Sequence, residues 1–180
     1  VPGADGVGKD IRLGKKVIAE NSAFVEDAIR TRVGQVDWLF VIAGGGGGTG
    51  SACFELDGAL NRYLQSIEAS GKVVYIVTKP TAQELLNPTI KTNYSSLLED
   101  ISGSPHIIID NERQLQLLRG KAGLLNMMPV ANKNFAKLLS QVFKLADEHT
   151  EIQTFDSKDL ERCLSTPGRM IIGSTVVRDV

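Results

Sequence analysis

The sequence is poor in the residues that build metal centres, disulfide frameworks and membrane spans. Its 180 residues include two cysteines, two histidines and one tryptophan. Cys53 and Cys163 fit neither a metal motif nor a disulfide framework, and His106 and His149 stand alone in the sequence. The apolar runs are too short to cross a bilayer, and we expect no signal peptide. Both thiols are therefore predicted to be reduced core residues of a cytoplasmic protein.

The sequence also lacks a large charge of either sign. Its formal net charge is −1, which argues against direct nucleic-acid binding through a basic surface. A hydrophobic fraction of 42% and a charged fraction of 23% are typical of a globular domain with one core. Because the chain opens in a glycine-rich loop without methionine, we expect it to be an internal part of a longer protein.

Apolar residues follow two alternating patterns along the chain. Continuous apolar runs predict strands that are covered on both faces, and spacings of three and four residues predict amphipathic helices. The predicted strands are 38–43, 73–78 and 106–110, and a last apolar run covers 169–177. The predicted helices are about 11–32, 49–69, 89–101, 112–119, 129–148 and 157–164. This alternation predicts an α/β fold, a Rossmann-like parallel sheet with helices on both faces.

Ligands of such sheets bind at the carboxyl ends of the strands, which directs attention to the loops 44–50, 79–87 and 110–113. The first of these contains five consecutive glycines, between a predicted strand and a predicted helix. Glycine lets successive backbone N–H groups approach and surround an anion, and a helix N-terminus favours negative charge. The hydroxyl groups of Thr49 and Ser51 can donate to phosphate oxygens. We therefore interpret this segment as a phosphate-binding loop rather than a plain turn.

Two common nucleotide signatures fit the sequence incompletely. The glycine run contains a G-x-G-x-x-G match, but the next strand ends in Thr78 rather than in the acidic residue of a dinucleotide site. Residues 3–10 match a Walker A loop except at Asp10, which stands where a magnesium-binding hydroxyl is required. A dinucleotide-dependent oxidoreductase therefore stays only as a rival class.

A third signature covers almost the whole chain. Residues 46–51 (Gly-Gly-Gly-Thr-Gly-Ser) are similar to the GGGTG[TS]G loop of the tubulin/FtsZ superfamily, with Ala52 in place of the last glycine. Residues 3–15 resemble the upstream loop of that family, which reaches the γ-phosphate. Residues 78–80 (Thr-Lys-Pro) resemble the T-K-P of FtsZ. The resemblance implies a GTP-binding domain over 1–149, with its first strand and first phosphate loop expected before residue 1.

The resemblance also implies the residues that bind the nucleotide. Glu84 falls where FtsZ places a ribose-binding acid, and Asn111 where the family has a guanine-contacting asparagine. Asn132 falls near the second base contact, although Lys133 or Asn134 could also be the match. The implied GTP-binding residues are Gly6, Gly8, Asp10, Gly45, Gly46, Gly47, Gly48, Thr49, Gly50, Ser51, Pro80, Glu84, Asn111 and Asn132. Mg²⁺ is expected to bridge the phosphates, since no protein carboxylate cage is evident.

The segment 153–160 resembles the catalytic loop that, in this family, enters the nucleotide pocket of the next subunit. By this resemblance Asp156 and Asp159 are the catalytic carboxylates, and Thr154 replaces the asparagine of the N-x-D-x-x-D pattern. A carboxylate can orient the attacking water by accepting its proton in a hydrogen bond. The alternative is structural, because either aspartate would also stabilise the start of the following helix.

Details of sequence favour one branch of the superfamily. Basic residues that follow the glutamate in FtsZ have no counterpart here, and the nearest basic residue is Lys91. Phe155-Asp156 and 165–168 (Ser-Thr-Pro-Gly) look closer to TubZ, the plasmid and phage branch that moves DNA. The resemblance implies homopolymeric filaments, a GTPase, a separate DNA-binding adaptor and no membrane contact. An FtsZ-type division protein and a non-hydrolysing filament subunit are the alternatives. Residues 150–180 are expected to hold the catalytic loop, its helix and the start of a second domain.

Overall fold

A computed structural model describes residues 6–120, 123, 126–147 and 156–173. Its centre is a parallel sheet of four strands in the order β1-β2-β3-β4. The strands are β1 (Leu39–Gly44), β2 (Val73–Lys79), β3 (Pro105–Asp110) and β4 (Gly168–Met170). The three predicted strands are therefore present, and the predicted α/β class is confirmed. Of the last apolar run, only its first residues form a strand, and 174–180 lie outside the described residues.

Helices connect the strands and continue beyond them. They are α1 (Ile11–Glu20), α2 (Ser22–Arg32), α3 (Gly48–Ser51), α4 (Asp57–Ser66), α5 (Pro88–Ile101), α6 (Asn111–Leu118), α7 (Met127–Asp147) and α8 (Ser157–Ser165), with 3-10 turns at Cys53–Leu56 and Glu84–Leu86. None of the helices among these residues is long and apolar enough to span a bilayer.

Two predicted helices are divided in the structure. The helix expected over 11–32 breaks at Asn21, whose backbone (φ −112°, ψ 9°) is not helical and whose side-chain amide donates to the Val17 carbonyl at 2.8 Å. Asparagine competes with helix geometry through such local hydrogen bonds. The helix expected over 49–69 becomes α3, a 3-10 turn and α4, and it ends before Glu68 at φ 55°.

The core lies on both faces of β2. On one face Tyr75 and Val77 are fully buried and pack against α4 and α5, through residues that include Leu64 and Leu97. On the other face the Phe143 ring of α7 meets the Phe40 ring of β1 edge-on at 5.8 Å between centroids, whereas Ile42 of β1 is 70% exposed. Helices therefore lie on both faces of the sheet, as predicted.

The two cysteines differ in their surroundings. Cys53 belongs to the core cluster, and burial raises the pKa of its thiol to about 11. Cys163 is exposed on α8. The prediction of a core position was therefore wrong for Cys163, because that residue lies on the solvent side of an amphipathic helix whose buried residue is Leu164.

The register of the strands determines which loops share an edge. Gly44 lies beside Thr78, and Lys79 lies beside Asp110, so the carboxyl ends of β1, β2 and β3 meet at one edge. β4 pairs only with the amino-terminal half of β3, beginning at Gly168. Since α8 leads directly into β4, the end of α8 lies at the opposite edge of the sheet.

Candidate nucleotide-binding site

The glycine loop, residues 44–50, begins at the carboxyl end of β1 and is held by hydrogen bonds on its inner side. The Gly45 N–H donates to the Thr78 carbonyl at 2.9 Å. The Gly46 N–H donates to the hydroxyl oxygen of Ser51 at 2.9 Å, and Ser51 is completely buried. The Ser51 oxygen thus holds the loop in shape, and the predicted donation of its hydroxyl group to phosphate stays a prediction.

Other N–H groups of the glycine loop stay available. No described residue accepts a hydrogen bond from the N–H of Gly47, Thr49 or Gly50, and Thr49 is exposed. Backbone N–H groups without a partner at the start of a helix form a natural site for an anion. The loop therefore has the donors that a chain of phosphates requires.

Close packing explains most of the glycines. A Cβ on Gly50 would lie 2.1 Å from the Gly44 carbonyl oxygen, and one on Gly45 would lie 2.6 Å from the Thr78 oxygen. Gly46 has φ +92°, which side chains rarely adopt. Gly47 differs, since no atom lies within 4 Å of a Cβ built on it. The space beside Gly47 is open to a ligand.

The upstream loop, residues 6–10, lies directly against the glycine loop. The Gly8 carbonyl accepts a hydrogen bond from the Gly48 N–H at 3.2 Å, and both Gly6 and Gly8 have positive φ. The Asp10 carboxylate caps α1 by accepting two N–H groups of its first turn at 2.9 and 3.0 Å. A Cβ on Gly14 would lie 2.5 Å from the Gly48 oxygen, so α1 approaches the glycine loop closely.

Asn93 is a residue of this site that the sequence interpretation missed. Its side-chain amide donates to the Lys9 carbonyl at 2.8 Å and to the Gly46 carbonyl at 3.1 Å, and only 2% of the residue is exposed. It thus joins the upstream loop to the glycine loop. One sequence signal could have identified it, because Asn93 interrupts the apolar stripe that Ile90, Tyr94 and Leu97 form on α5.

The carboxyl ends of β2 and β3 form the part of the edge predicted to hold ribose and base. Lys79 donates to the Asp110 carboxylate at 2.8 Å, and Asp110 caps α6 through the Arg113 N–H at 3.1 Å. These donors lower the pKa of Asp110, the lysine hydrogen bond most of all. Asn111, the predicted base contact, is the first residue of α6. Pro80 lies at the glycine loop, with Cγ 3.0 Å from the position of a Cβ on Gly46.

Glu84 makes a local contact in its own loop. Its carboxylate accepts the Thr81 N–H at 2.7 Å and the Thr81 hydroxyl at 2.8 Å. The loop is tied to α6 as well, because Ala82 N–H donates to Glu112 at 3.2 Å. A hydrogen bond therefore connects the loop predicted to bind the ribose with α6, whose first residue is the predicted base contact.

The three alternatives for the second base contact lie side by side on α7. Asn132, Lys133 and Asn134 are all exposed. Asn134 and Asp110 line one cavity of about 940 Å³ between β3, α6, α7 and residues 169–173, whereas Asn132 and Lys133 are absent from its walls. Of the three, Asn134 is therefore the one that shares this cavity with Asp110 at the carboxyl end of β3.

Asp156 and Asp159 form a capping box at the start of α8. The Asp156 carboxylate accepts the Lys158 N–H at 2.8 Å and the Asp159 N–H at 3.0 Å, and Asp159 accepts the Asp156 N–H at 3.3 Å. Neither makes a hydrogen bond or ion pair with the glycine loop in the described structure. The end of α8 lies beside Lys72, which donates to the Ser165 carbonyl at 3.2 Å ahead of β2. Thr154 lies outside the described residues.

Sequence comparisons with known proteins give no match. No family model and no curated protein matches the chain.

Solved structures do match the fold. CetZ from Methanosaeta thermophila matches with a TM-score of 0.68 at 22% identity, over 87% of this chain and 42% of that one. An empty FtsZ dimer from M. jannaschii matches with a TM-score of 0.64 at 21% identity, over 91% and 45%. A protofilament of Bacillus thuringiensis serovar israelensis TubZ in its GTPγS form matches with a TM-score of 0.68 at 19% identity, over 94% and 49%.

These matches define the class of fold. The chain has the tubulin/FtsZ fold, with a parallel sheet between helices and a glycine loop at the carboxyl end of its first described strand. It spans about half the length of the solved structures that it matches. The resemblance expected from the motifs is therefore confirmed at the level of fold.

Proposed function

We propose that this chain is the nucleotide-binding part of a polymerising GTPase. The observation that carries the proposal is the glycine loop, whose Gly47, Thr49 and Gly50 N–H groups have no acceptor among the described residues. The loop is pre-shaped by Ser51 and lies against a second loop at the ligand-binding edge of a parallel sheet. The fold that it shares with FtsZ, CetZ and TubZ supports GTP as the nucleotide.

The nucleotide lies along the carboxyl edge of the sheet. Its phosphates accept the free N–H groups of the glycine loop, and the upstream loop reaches the terminal phosphate. Glu84 binds the ribose and Asn111 binds the base. A magnesium ion would accompany the phosphates and would supply positive charge to neutralise their oxygens.

Hydrolysis is completed by a second copy of the chain. Asp156 and Asp159 precede a helix that ends at the edge of the sheet opposite to the glycine loop. In this proposal one chain presents its pocket at one end and its acidic loop at the other. Copies stacked head to tail bring the two together, and such a contact repeats into a filament. The carboxylates then orient the attacking water.

The wider role that we propose is partition of plasmid or phage DNA by cytoplasmic filaments. The likeness to the TubZ protofilament supports self-assembly, and the net charge of −1 supports contact with DNA through an adaptor protein rather than directly. In this proposal residues 1–149 form the GTP-binding domain, and 150–180 form the catalytic loop, its helix and the start of a second domain. Division of the cell, as by FtsZ, is the alternative role.

The GTPase rate per subunit, measured against protein concentration in the presence of magnesium, tests the shared site. We expect the rate to rise steeply above a threshold concentration, because the site is complete only between neighbours. A rate per subunit that does not change with concentration would show that each chain hydrolyses GTP alone, and the role given to Asp156 and Asp159 would then be wrong.

Paired substitutions separate catalysis from helix capping. Asp156→Asn keeps a side-chain oxygen for the cap but removes the carboxylate, whereas Asp156→Ala removes both. If the carboxylate is catalytic, we expect both variants to lose GTPase activity while filaments persist, and only the alanine variant to lose stability, by about 1 kcal/mol. The same pair at Asp159 is the second test.

A subunit that binds GTP without hydrolysing it is the second candidate, and the capping box favours it because both carboxylates already have structural partners. Full GTPase activity in Asp156→Asn and Asp159→Asn would exclude a catalytic role for both residues. Filaments with no GTP turnover in the unaltered protein would establish the second candidate. Tighter binding of NAD than of GTP would instead establish the dinucleotide class.

A further inference from the structure

Asn93 joins two loops that come from distant parts of the chain. Its amide nitrogen donates to a carbonyl 84 residues away in the upstream loop, at Lys9, and to one 47 residues away in the glycine loop, at Gly46. A single NH₂ group thus holds both loops, using the two donors that an asparagine has. No other described side chain forms hydrogen bonds to both loops.

The position of Asn93 is itself well defined. It is 2% exposed, and its neighbours Ile90 and Tyr94 on α5 contact the glycine loop too. A Cβ on Gly46 would lie 2.7 Å from Ile90, and a Cβ on Gly45 would lie 2.6 Å from the Tyr94 ring. α5 therefore supports the glycine loop along one face, and Asn93 is its polar contact.

The only other described hydrogen bond between the two loops is the one from the Gly48 N–H to the Gly8 carbonyl, at 3.2 Å. Two carbonyl oxygens cannot hydrogen-bond to each other. The Asn93 amide, which donates to both, therefore allows the Lys9 and Gly46 carbonyl oxygens to lie close together. Removing it leaves the Lys9 and Gly46 carbonyls without this donor, and the Gly46 hydrogen bond is buried, so its loss is unfavourable while the loops stay together. The loops are then expected to separate.

We propose that Asn93 is a positioning residue, which keeps the upstream loop and the glycine loop at the spacing that a nucleoside triphosphate requires. The inference rests on the proposed function, in which the two loops hold different parts of one phosphate chain. A triphosphate needs both loops, whereas a diphosphate, which lacks the terminal phosphate, depends less on the upstream loop. Asn93 thereby sets the preference for GTP over GDP without contacting either nucleotide.

The test compares Asn93→Leu with Asn61→Leu in the intact protein. Asn61 is a matched control, because its amide also donates two hydrogen bonds, to the backbone and side chain of Asp57 within its own helix α4. Affinities for GTPγS and for GDP are measured for each variant, together with thermal unfolding. Asn93→Ser, which is smaller and keeps one hydroxyl donor, is the second variant in case the leucine does not fold.

We expect Asn93→Leu to weaken GTPγS binding about tenfold and GDP binding less than about threefold, since two hydrogen bonds are lost from a site that only the triphosphate uses in full. Asn93→Ser should lie between it and the unaltered protein. Asn61→Leu should lower the unfolding temperature without changing the ratio of the two affinities.

Equal losses for the two nucleotides in the Asn93 variants, or a changed ratio in Asn61→Leu, would overturn the positioning role while nucleotide binding by the unaltered protein stands. If the unaltered protein binds neither GTPγS nor GDP, the proposed function is wrong and the inference falls with it. Nucleotide binding by the unaltered protein therefore distinguishes failure of the positioning role from failure of the proposed function.

Discussion

The glycines of the glycine loop are one residue type, but different neighbours constrain each of them. Gly50 packs against the backbone of Gly44, and Gly46 needs a positive φ. Gly47 has ordinary backbone angles (φ −80°, ψ 165°) and open space beside it. The first two glycines thus serve the fold, whereas Gly47 leaves room for whatever binds the loop.

The pair Gly50→Ala and Gly47→Ala separates these roles. We expect Gly50→Ala to lower the free energy of unfolding by about 1–3 kcal/mol or more, because its Cβ would overlap the Gly44 carbonyl oxygen. Gly47→Ala should change stability by less than about 0.5 kcal/mol, yet weaken nucleotide binding because the methyl group enters the open space. Denaturant unfolding and nucleotide titration measure the two effects, and equal stability of the variants would contradict the packing argument.

At the scale of elements, caps decide where helices start. Asn87 accepts the Thr89 and Ile90 N–H groups at 3.0 and 3.3 Å, and Pro88 follows at the first position of α5. Asp110 caps α6 by accepting one N–H group, and Asp156 caps α8 by accepting two. Because asparagine, aspartate and proline carry these preferences in their own chemistry, the predicted starts of these helices agree with the structure to within two residues.

The ion pair between β2 and β3 predicts a pH dependence. Lys79 lowers the pKa of Asp110 below its ordinary value of 3.8, so the folded protein stabilises the charged carboxylate. This stabilisation is fully present above that ordinary value and is lost as the pH falls through the lowered pKa of the folded state. Asp110→Asn keeps a capping oxygen but removes the charge.

We therefore expect Asp110→Asn to be less stable than the unaltered protein at pH 7 by about 0.2–1 kcal/mol, as is usual for a partly exposed pair. The difference should vanish in strong acid, where both forms are uncharged. Urea unfolding of the two proteins over a pH series measures it. A difference that persists at low pH would show that the effect comes from packing or from the cap.

At the scale of the whole molecule, the glycine loop and the end of α8 lie at opposite edges of the sheet. The glycine loop follows the carboxyl end of β1, and α8 ends where β4 begins, at the amino end of β3. Parallel strands have all their carboxyl ends at one edge and all their amino ends at the other, which keeps these two features apart. That the acidic pair completes the site of a neighbouring copy stays a prediction.

Mixing two inactive variants tests the composite site. Thr49→Glu places a carboxylate at an exposed position of the glycine loop and should repel phosphates, and the double variant Asp156→Asn with Asp159→Asn lacks the acidic pair. Each alone should have no GTPase activity. An equal mixture should recover up to about a quarter of the activity, since one in four head-to-tail contacts pairs an intact loop with an intact acidic segment. No recovery, with both variants folded and copolymerised, would contradict a shared site.

The sequence by itself determined the order and class of the elements, the glycine loop and the resemblance to the tubulin/FtsZ superfamily. It could do so because apolar periodicity, caps and glycine runs express local preferences that need no distant partner. The nucleotide and catalytic roles that the motifs imply stay predictions, which the experiments above address.

Only the tertiary structure decided the contacts between distant segments. Asn93 reads in sequence as a polar residue in a helix, and it becomes a bridge because α5 packs beneath two loops. The buried oxygen of Ser51 also accepts the Gly46 N–H, a contact that the sequence analysis did not predict. The role of Asp156 and Asp159 toward the nucleotide of a neighbouring copy stays a prediction. The partners of Asn93 lie 84 and 47 residues away along the chain, and only the packed fold brings them together.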